Sequence, residues 1–387
     1  MLLRLAGSCL PMHRMAPSRS RVEGGTSSPR RTLRPHILLT SSFLPVLYQF
    51  RMSFLMTMSA PMNSLRPRQT MPRRLSRTQR QLRGLVLLGT LLSTLLMVFY
   101  QRVPNVFGLG LLVDNAAPWF GISIPLLLLL ALFSRSRSAL AFVLIPTMAW
   151  VMSFGSAIIP LSWTAPAKTT QSISVGSQNV RAGTGGAVAS AQDLSAQGSD
   201  VIALQELESG SANRVTQALQ RSYPHHFVVG TVGVWSKYPL SNSQSLDLGL
   251  GWKRALRTEV TTDTGTVRLY VVHAASARAS DHSNRDEMLA QLASTLRQDQ
   301  SPRVIALGDF NATSTDRSFT PLTETMDEPN QDQGMFGFTW PRKPFGFMRL
   351  DHVLQRGLEV SSNTVVPAGE SDHLAVLTSL NFPSSNS

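Results

Sequence analysis

The sequence predicts an α/β domain preceded by three transmembrane helices. Two observations support this. Three long apolar runs, nearly free of charge, lie between positions 84 and 161. From Ser172 onward, short apolar strands alternate with polar or helical stretches, a pattern typical of sheets buried between helices. A chain of 387 residues is long enough to form both parts.

The apolar runs predict membrane-spanning helices at about 84–100, 116–133 and 139–161. A helix needs about 20 apolar residues to cross a bilayer. The third run exceeds that length, the first is slightly short, and the second reaches it only by starting near Ala116. The alternative is a set of core helices in a soluble domain. Three nearly uncharged runs so close together favour the membrane.

The distribution of arginine predicts the orientation of these helices. Seven arginines lie between Arg66 and Arg83, before the first run, and Arg135 and Arg137 separate the second run from the third. Basic residues collect on the cytoplasmic side of membrane proteins. We therefore expect a protein of the cell (inner or plasma) membrane, with residues 165–387 forming an extracytoplasmic catalytic domain. These residues contain no cysteine, which is compatible with that location.

The net charge of +13 belongs to the first 83 residues, which hold fifteen arginines, no lysine and one acid. A basic, disordered leader is expected there. A nucleic-acid-binding arm and a later start codon, between Met52 and Met71, are the alternatives. Residues 165–387 contain 18 basic and 21 acidic residues. This domain therefore lacks the broad basic field that drives non-specific DNA binding.

Polar side chains recur where the predicted strands begin or end. They are Asn179, Glu206, His273, Asp309, Asn311, Asp351, Asp372 and His373. Taken singly, an Asp or Asn after a strand is usually a turn former, and a lone histidine is usually structural. A rigid sheet edge that aims all eight into one cleft would instead form a catalytic site.

The residue types suit metal-assisted attack on a phosphate ester. Glu206 and Asp372 offer hard oxygen ligands, which suit Mg²⁺ or Mn²⁺. Such a cation neutralises phosphate charge, and Asp309 or His373 can position or deprotonate water. Asp351 against His373 would favour the imidazolium. We predict in-line hydrolysis without a covalent intermediate, and leave open the assignment of base and acid among Asp309, His273 and His373.

Seven short motifs in a fixed order resemble the endonuclease/exonuclease/phosphatase family, which has the deoxyribonuclease I-like fold. They are SQNVR, DVIALQELE, GVWSKYPL, VVHAAS with RDEMLAQL, VIALGDFNAT, LDHVL and ESDHLAV, and they span roughly Ser172 to Phe382. The stretch FTWP before Leu350 resembles a membrane-anchored bacterial branch of the family.

The resemblance implies a four-layer α/β sandwich, a divalent cation, usually Mg²⁺, and hydrolysis of phosphate esters. It also implies roles for single residues. Glu206 matches the main metal-ligand carboxylate, Asn179 the amide that orients the metal site, Asp372 a second acid at the metal end, Asp309 and Asn311 the pair that positions water and contacts phosphate, His373 the histidine at the scissile phosphate, Asp351 the carboxylate that orients it, and His273 a further histidine of the nuclease-like branch.

Three functions compete. A nuclease-like phosphodiesterase acting on nucleic acid is favoured, although the tyrosine that some abasic-site nucleases use has no clear match. A phospholipid or inositol-phosphate substrate is the alternative, and aromatic segments at 335–338 and 345–348 could serve it or belong to the core. The third function is a non-catalytic, membrane-anchored sensing domain. Arg285 and His352 are interpreted as structural residues. The expected partners are a phosphate ester and the bilayer, with no obligate protein partner.

Overall fold

The computed structural model describes residues 75–383. The predicted disordered leader and the alternative start codons therefore lie almost entirely outside the described residues. The helices are α1 (Arg77–Phe99), α2 (Leu109–Ala116), α3 (Ser123–Ser134), α4 (Arg137–Phe154), α5 (Ala187–Ala196), α6 (Ser211–Leu219), α7 (Ser283–Gln298) and α8 (Thr320–Thr323).

The strands are β1 (Ser172–Asn179), β2 (Val201–Gln205), β3 (His225–Val229), β4 (Val232–Ser236), β5 (Leu240–Leu246), β6 (Ala255–Thr262), β7 (Gly265–His273), β8 (Val304–Asp309), β9 (Asp351–Arg356), β10 (Glu359–Val366) and β11 (Ala375–Asn381).

Three helical segments precede the sheets, and each is long and apolar enough to cross a membrane: Arg77–Arg102, Val106–Ser134 and Arg137–Ile158. Helices α1, α3 and α4 pack together through a small apolar cluster that includes Val86 and Leu127. Other leucines of these helices point outward and remain exposed. A helix that is apolar all round is typical of a membrane span.

The second apolar segment is not one straight helix. Helix α2 ends at Ala116, a 3₁₀ turn follows over Ala117–Ile122, and α3 then runs from Ser123 to Ser134. Pro118 lies near the start of the 3₁₀ turn, where a missing N–H costs little. Only the α3 part packs into the cluster shared with α1 and α4.

Two sheets form the centre of the remaining chain. One has six strands in the order β10-β11-β1-β2-β4-β3, and the other has five in the order β5-β6-β7-β8-β9. Their inner faces share one apolar core, in which Ile173 and Val201 meet Leu256 and Ile305. Helices α5 and α6 cover the outer face of the first sheet, and α7 covers that of the second. The predicted four-layer α/β sandwich is confirmed.

The sequence pattern suggests a single strand over Val228–Trp235, but the structure has a hairpin there. Strands β3 and β4 pair as antiparallel neighbours on either side of Gly230. Gly230 has a φ of 57°, and a Cβ at this position would collide with the carbonyl oxygen of Lys253. Only glycine suits such a turn, and it is hidden within an otherwise continuous apolar run.

The sheet topology sets the place of the site. Strands β1 and β2 are parallel, as are β7 and β8, while β9 runs antiparallel to β8. The carboxyl ends of β1, β2, β7 and β8 and the start of β9 therefore meet at one edge of the sandwich. That edge carries the polar residues singled out from the sequence.

Candidate active site

Three of the predicted residues lie side by side on neighbouring strands. His273 pairs in register with Asp309, and Asp309 pairs in register with Asp351. Each is at most 1% exposed. Burial of two carboxylates and an imidazole is costly unless the groups are paired or hydrogen-bonded. Their juxtaposition indicates a functional site rather than a structural one.

Asn179 links the two sheets at this edge. Its Nδ2 donates to Glu206 Oε1 at 3.0 Å and to Asp309 Oδ2 at 2.9 Å. Its Oδ1 accepts from the backbone N–H of Arg181 at 2.9 Å. Because the amide nitrogen faces both carboxylates and the oxygen is engaged elsewhere, Asn179 orients Glu206 and Asp309 in this arrangement.

Glu206 follows β2 in a left-handed conformation, with a φ of 59°. Non-glycine residues adopt this region rarely, and often at functional sites. Burial opposes its charged form, but hydrogen bonds from Asn179 and the backbone N–H of Ala182 outweigh that effect and lower the pKa of Glu206. The side chain is 30% exposed, so a charged carboxylate faces the cleft.

His373 and Asp351 form a buried pair, with Nδ1 of His373 2.8 Å from Asp351 Oδ2. Burial lowers the pKa of His373, but attraction to Asp351 and their hydrogen bond outweigh it and raise the pKa to about 10. The imidazole is therefore protonated at neutral pH. The second oxygen of Asp351, Oδ1, is buried and has no hydrogen-bond partner among the described residues.

Asp309 lies between these groups. Burial raises its pKa to about 6, and the charge of Asp351 contributes to the increase. Asn311 caps the carboxylate, since its backbone N–H donates to Asp309 Oδ1 at 2.9 Å. The Asn311 side chain donates to the carbonyl oxygen of Ala274 at 3.0 Å. An ionised carboxylate with a pKa close to neutrality has the properties of a general base.

His273 has the opposite character from His373. Burial lowers its pKa to about 4, and the positive charge of Arg254 adds to the decrease. The ring is therefore neutral at pH 7. Its Nε2 is buried and lies 3.6 Å from Glu206 Oε1, too long for a hydrogen bond.

Asp372 lies on the same cleft but is held separately. Its Oδ2 accepts from Trp340 Nε1 at 3.4 Å, and its Oδ1 is 3.9 Å from Arg181 Nε. No hydrogen bond joins it to Asn179 or Glu206 within residues 75–383. The structure thus gathers seven of the eight predicted residues at one edge, through hydrogen bonds and the register of β7, β8 and β9, with Asp372 beside them.

Several of these residues could hold a metal ion. Asp309, Asp351 and His373 each bring one ligand atom to within 4.8 Å of the others. Protonated imidazole cannot coordinate a cation, and the raised pKa of His373 therefore weighs against its part in this set. Glu206 offers a charged carboxylate on the open side of the cleft.

The two residues interpreted as structural have clear contacts. Arg285 is 1% exposed and donates to the carbonyl oxygen of Asn311 at 2.7 Å and to Asp316 at 2.8 Å. It therefore holds the loop that carries Asn311. His352 is fully buried between Glu328 and the carbonyl oxygen of Ala312. Neither side chain lines the cleft.

Comparison with known proteins agrees with this geometry. The model of the Endonuclease/Exonuclease/phosphatase family matches residues 176–373. The chain belongs to this family. A comparison with curated proteins gives no significant match.

Solved structures with similar folds include three from different organisms. A humanised TDP2 from D. rerio is 18% identical, covers 55% of this chain and 100% of its own, and has a TM-score of 0.47. Sphingomyelinase C from Streptomyces griseocarneus is 20% identical, with 55% and 100% covered and a TM-score of 0.42. A beta toxin variant from Staphylococcus aureus with bound magnesium ions is 14% identical, with 54% and 99% covered and a TM-score of 0.44.

The cleft of this family member has a volume of about 630 Å³ and is lined in part by residues outside the sandwich. Glu206, Asp309 and His373 form its floor, while Leu111, Leu112 and Asn115 of α2 form one wall. Sequence reasoning missed this wall. The only signal was Asp114, a charged residue just before the second predicted apolar run, which is interpreted as a loop residue when the fold is unknown.

The structure also shows the contacts of the two aromatic segments, 335–338 and 345–348, on either side of Trp340. Phe338 stacks on Trp119 with 5.3 Å between ring centroids, and Phe336 meets Trp150 edge-on at 6.2 Å. Phe345 remains 64% exposed. The first segment therefore joins the sandwich to the apolar helices, and the second presents an aromatic side chain to the surroundings.

Proposed function

We propose that this protein is a membrane-anchored, metal-dependent phosphoesterase that hydrolyses phosphodiester bonds by direct attack of water. One observation carries the proposal. A single amide, Asn179, donates hydrogen bonds to two carboxylates whose pKa values shift in opposite directions. The pKa of Glu206 is lowered, and that of Asp309 is raised. Pairs of titratable groups whose pKa values are pushed apart commonly mark acid and base assignments.

The residues fit a hard divalent cation. Mg²⁺ is usually bound through one or two carboxylates, with water and substrate phosphate completing the shell. Glu206 supplies such a carboxylate at the cleft, with Asp372 as the second acid and Asn179 fixing the orientation of Glu206. These three remain the proposed metal-site residues, with Mg²⁺ as the expected ion and Mn²⁺ as the substitute. When bound, the ion would neutralise phosphate charge and polarise the phosphoryl group.

The remaining residues have complementary tasks. Asp309 accepts the proton of the attacking water, because its pKa of about 6 leaves it ionised yet basic at neutral pH. His373, held as imidazolium by Asp351, donates a hydrogen bond to a phosphate oxygen on which charge develops. Asn311, which lines the cleft next to Asp309, is the proposed second contact to the phosphate. Neutral His273 can accept a hydrogen bond next to Glu206.

The arrangement of the helices supports an extracytoplasmic catalytic domain. Arg135 and Arg137 lie at the α3–α4 turn. The opposite ends of these helices contact the sandwich, through Trp119 to Phe347 and Trp150 to Phe336. Basic residues at the end of the bundle away from the catalytic domain match the positive-inside rule. The anchored form and its bacterial branch are part of this proposal.

The direct test is hydrolysis of bis(p-nitrophenyl) phosphate by the full chain in detergent. We expect release of p-nitrophenol with Mg²⁺ or Mn²⁺ and its loss with EDTA. Asp309→Asn should lower the rate by about 10²–10⁴-fold, the usual contribution of a general base. Asp263→Asn is the matched control, because Asp263 is exposed in the turn that begins β7, at the opposite end of that strand from His273. Equal rates for the two variants would refute the proposed role of Asp309.

A further inference from the structure

Helix α2 is a wall of the catalytic cleft although it belongs to the second apolar segment. Leu111, Leu112 and Asn115 line the cleft opposite Trp340 and Met348 of the sandwich. The same helical segment continues through Ala117–Ile122 into α3, which packs with α1 and α4. The substrate therefore enters between the sandwich and a helix that leads directly into the apolar bundle.

The position of α2 is fixed by a buried ion pair. Asp114 is fully buried and accepts from Arg317 Nε at 2.6 Å, from its Nη2 at 3.0 Å and from its backbone N–H at 3.1 Å. The Asp114 carbonyl oxygen accepts from Thr315 at 2.7 Å. Bidentate arginine–carboxylate contacts are geometrically specific. The wall is therefore a built feature of the fold.

A second contact holds the chain just before α2. The Nδ2 atom of Asn105 lies 2.9 Å from His282 Nε2. Gly108 has a φ of 76°, and a Cβ at this position would collide with the backbone of Ala279, which itself lines the cleft. The entrance to the cleft is thus enclosed by α2 and the 276–279 loop together.

The surface beside this entrance is apolar and exposed. Leu112 is 56% exposed, Leu109 52%, Val106 58% and Phe107 94%. An exposed apolar patch of this kind marks an interaction site. The same apolar segment continues through the 3₁₀ turn and α3 into the proposed membrane, so hydrocarbon is the medium that such a patch would meet.

We propose that the substrate is an amphiphile, a phosphodiester with an apolar chain, and that Leu112 helps to bind the chain while Glu206 and Asp309 act on the phosphate. The inference rests on the proposed phosphoesterase activity and adds its substrate class. Tail and phosphate would be held on adjacent surfaces, the α2 wall and the cleft floor.

The charges in the cleft favour this class over nucleic acid. Two arginines, Arg181 and Arg278, and the imidazolium of His373 line the cleft beside three acidic residues, so the cleft has no excess of positive charge. Nucleic-acid binding depends on several phosphate contacts from Lys and Arg. A single-phosphate substrate needs only one such contact, and the leucines of α2 offer no hydrogen-bonding group to a second nucleotide.

The test uses the full chain in nanodiscs and two esters with the same leaving group, p-nitrophenyl methyl phosphate and p-nitrophenyl octyl phosphate. Both release p-nitrophenol and the corresponding alkyl phosphate. A fully covered methylene group contributes about fourfold in binding. We therefore expect kcat/KM to be at least about tenfold higher for the octyl ester, with its chain only partly covered.

The variants separate binding of the octyl chain by α2 from partition of the ester into the lipid. Leu112→Gln should lower the octyl-to-methyl ratio of kcat/KM by about tenfold, on the same basis. Leu126→Gln is the matched control, since Leu126 lies in α3 with similar exposure (57%), does not line the cleft and is not part of the exposed patch beside it. It should keep the wild-type ratio, because partition into the nanodisc is common to all variants.

Each other outcome has a distinct meaning. Hydrolysis of both esters at equal kcat/KM by the wild type would overturn the amphiphile inference and leave the phosphoesterase standing. Equal ratios in both leucine variants would overturn the role of α2. A single-stranded DNA oligonucleotide hydrolysed with a higher kcat/KM than the octyl ester would select nucleic acid instead. No metal-dependent hydrolysis of any of them would overturn the proposed function itself.

Discussion

Replacing Asp309 with asparagine should inactivate the enzyme and stabilise its metal-free fold. In the folded protein, burial raises the pKa of Asp309 from 3.8 to about 6. An unfolded chain therefore releases this proton first as the pH rises. The ionised carboxylate therefore lowers the free energy of unfolding. This loss is absent below pH 3.8, grows between pH 3.8 and 6, and is complete above pH 6.

The size of the effect follows from this difference. At about 1.4 kcal/mol per pH unit, the ionised carboxylate destabilises the fold by about 3 kcal/mol at pH 7.5. A neutral amide removes that penalty. It keeps one acceptor for the two closer donors, Asn179 Nδ2 and the backbone N–H of Asn311, and so loses about 1 kcal/mol. The net gain of about 2 kcal/mol corresponds to a rise in Tm of roughly 4–8 °C.

The assay is thermal unfolding of the full chain in EDTA, for wild type and Asp309→Asn, at pH 7.5 and pH 4. The variant should be more stable at pH 7.5, and its advantage should disappear at pH 4, where Asp309 is largely protonated in the folded wild type. Asp263→Asn should show neither effect. An advantage of equal size at both pH values, or a less stable variant at pH 7.5, would refute the electrostatic reasoning.

Three further predictions concern the surroundings of the site. Asp351→Asn should lower the pKa of His373 from about 10 and shift the alkaline limb of the pH–rate profile to lower pH; an unchanged limb would show that His373 does not titrate in the reaction. Asp114→Asn should destabilise the packing of α2 by about 2–3 kcal/mol, less than the 3–5 of a fully buried pair because the Arg317 side chain is 30% exposed. Hydrogen exchange should then accelerate in α2 and not in α7. Gly308→Ala should lower Tm by several degrees, since Gly308 has a φ of 135° and a Cβ there would collide with the β7 backbone; an unchanged Tm would contradict the strain argument.

Much of the fold was predictable because its strands carry local signals. The run Val304–Leu307 followed by Asp309 reads as a buried strand with a polar end, and the structure has β8 there. The edge strands β5 and β10 were not read from the pattern. Their sequences, LSNSQSL and EVSSNTVV, are mostly polar, because an edge strand can face solvent.

That these polar residues lie together was predictable from the sequence, but their protonation states were not. His273 and His373 both adjoin apolar strand residues, and the sequence does not distinguish their protonation. The structure makes His273 neutral through burial and Arg254, and makes His373 cationic through Asp351. Such differences depend on partners from distant parts of the chain, which no local pattern records.

The contribution of α2 to the cleft was hidden for a similar reason. The sequence predicts that the second membrane helix starts near Ala116, and it therefore leaves nearly all of α2 in the loop before that helix. Only the three-dimensional structure shows that Asp114 is bound by Arg317, 203 residues later in the chain, and so brings Leu112 to the cleft.

Binding of Mn²⁺ tests the proposed metal site at Glu206 most directly. The measurement is a titration of the full chain followed by the electron paramagnetic resonance signal of free Mn²⁺, for wild type, Glu206→Gln and the surface control Glu324→Gln. Glu324 is exposed and, among residues 75–383, forms an ion pair only with Arg297, across 3.4 Å. We expect saturable binding by the wild type, with a Kd that Glu206→Gln raises by at least about tenfold, the loss usual for a changed metal ligand shell, and that Glu324→Gln leaves unchanged. Absence of binding, or the same Kd in all three proteins, would contradict a metal-dependent mechanism centred on Glu206.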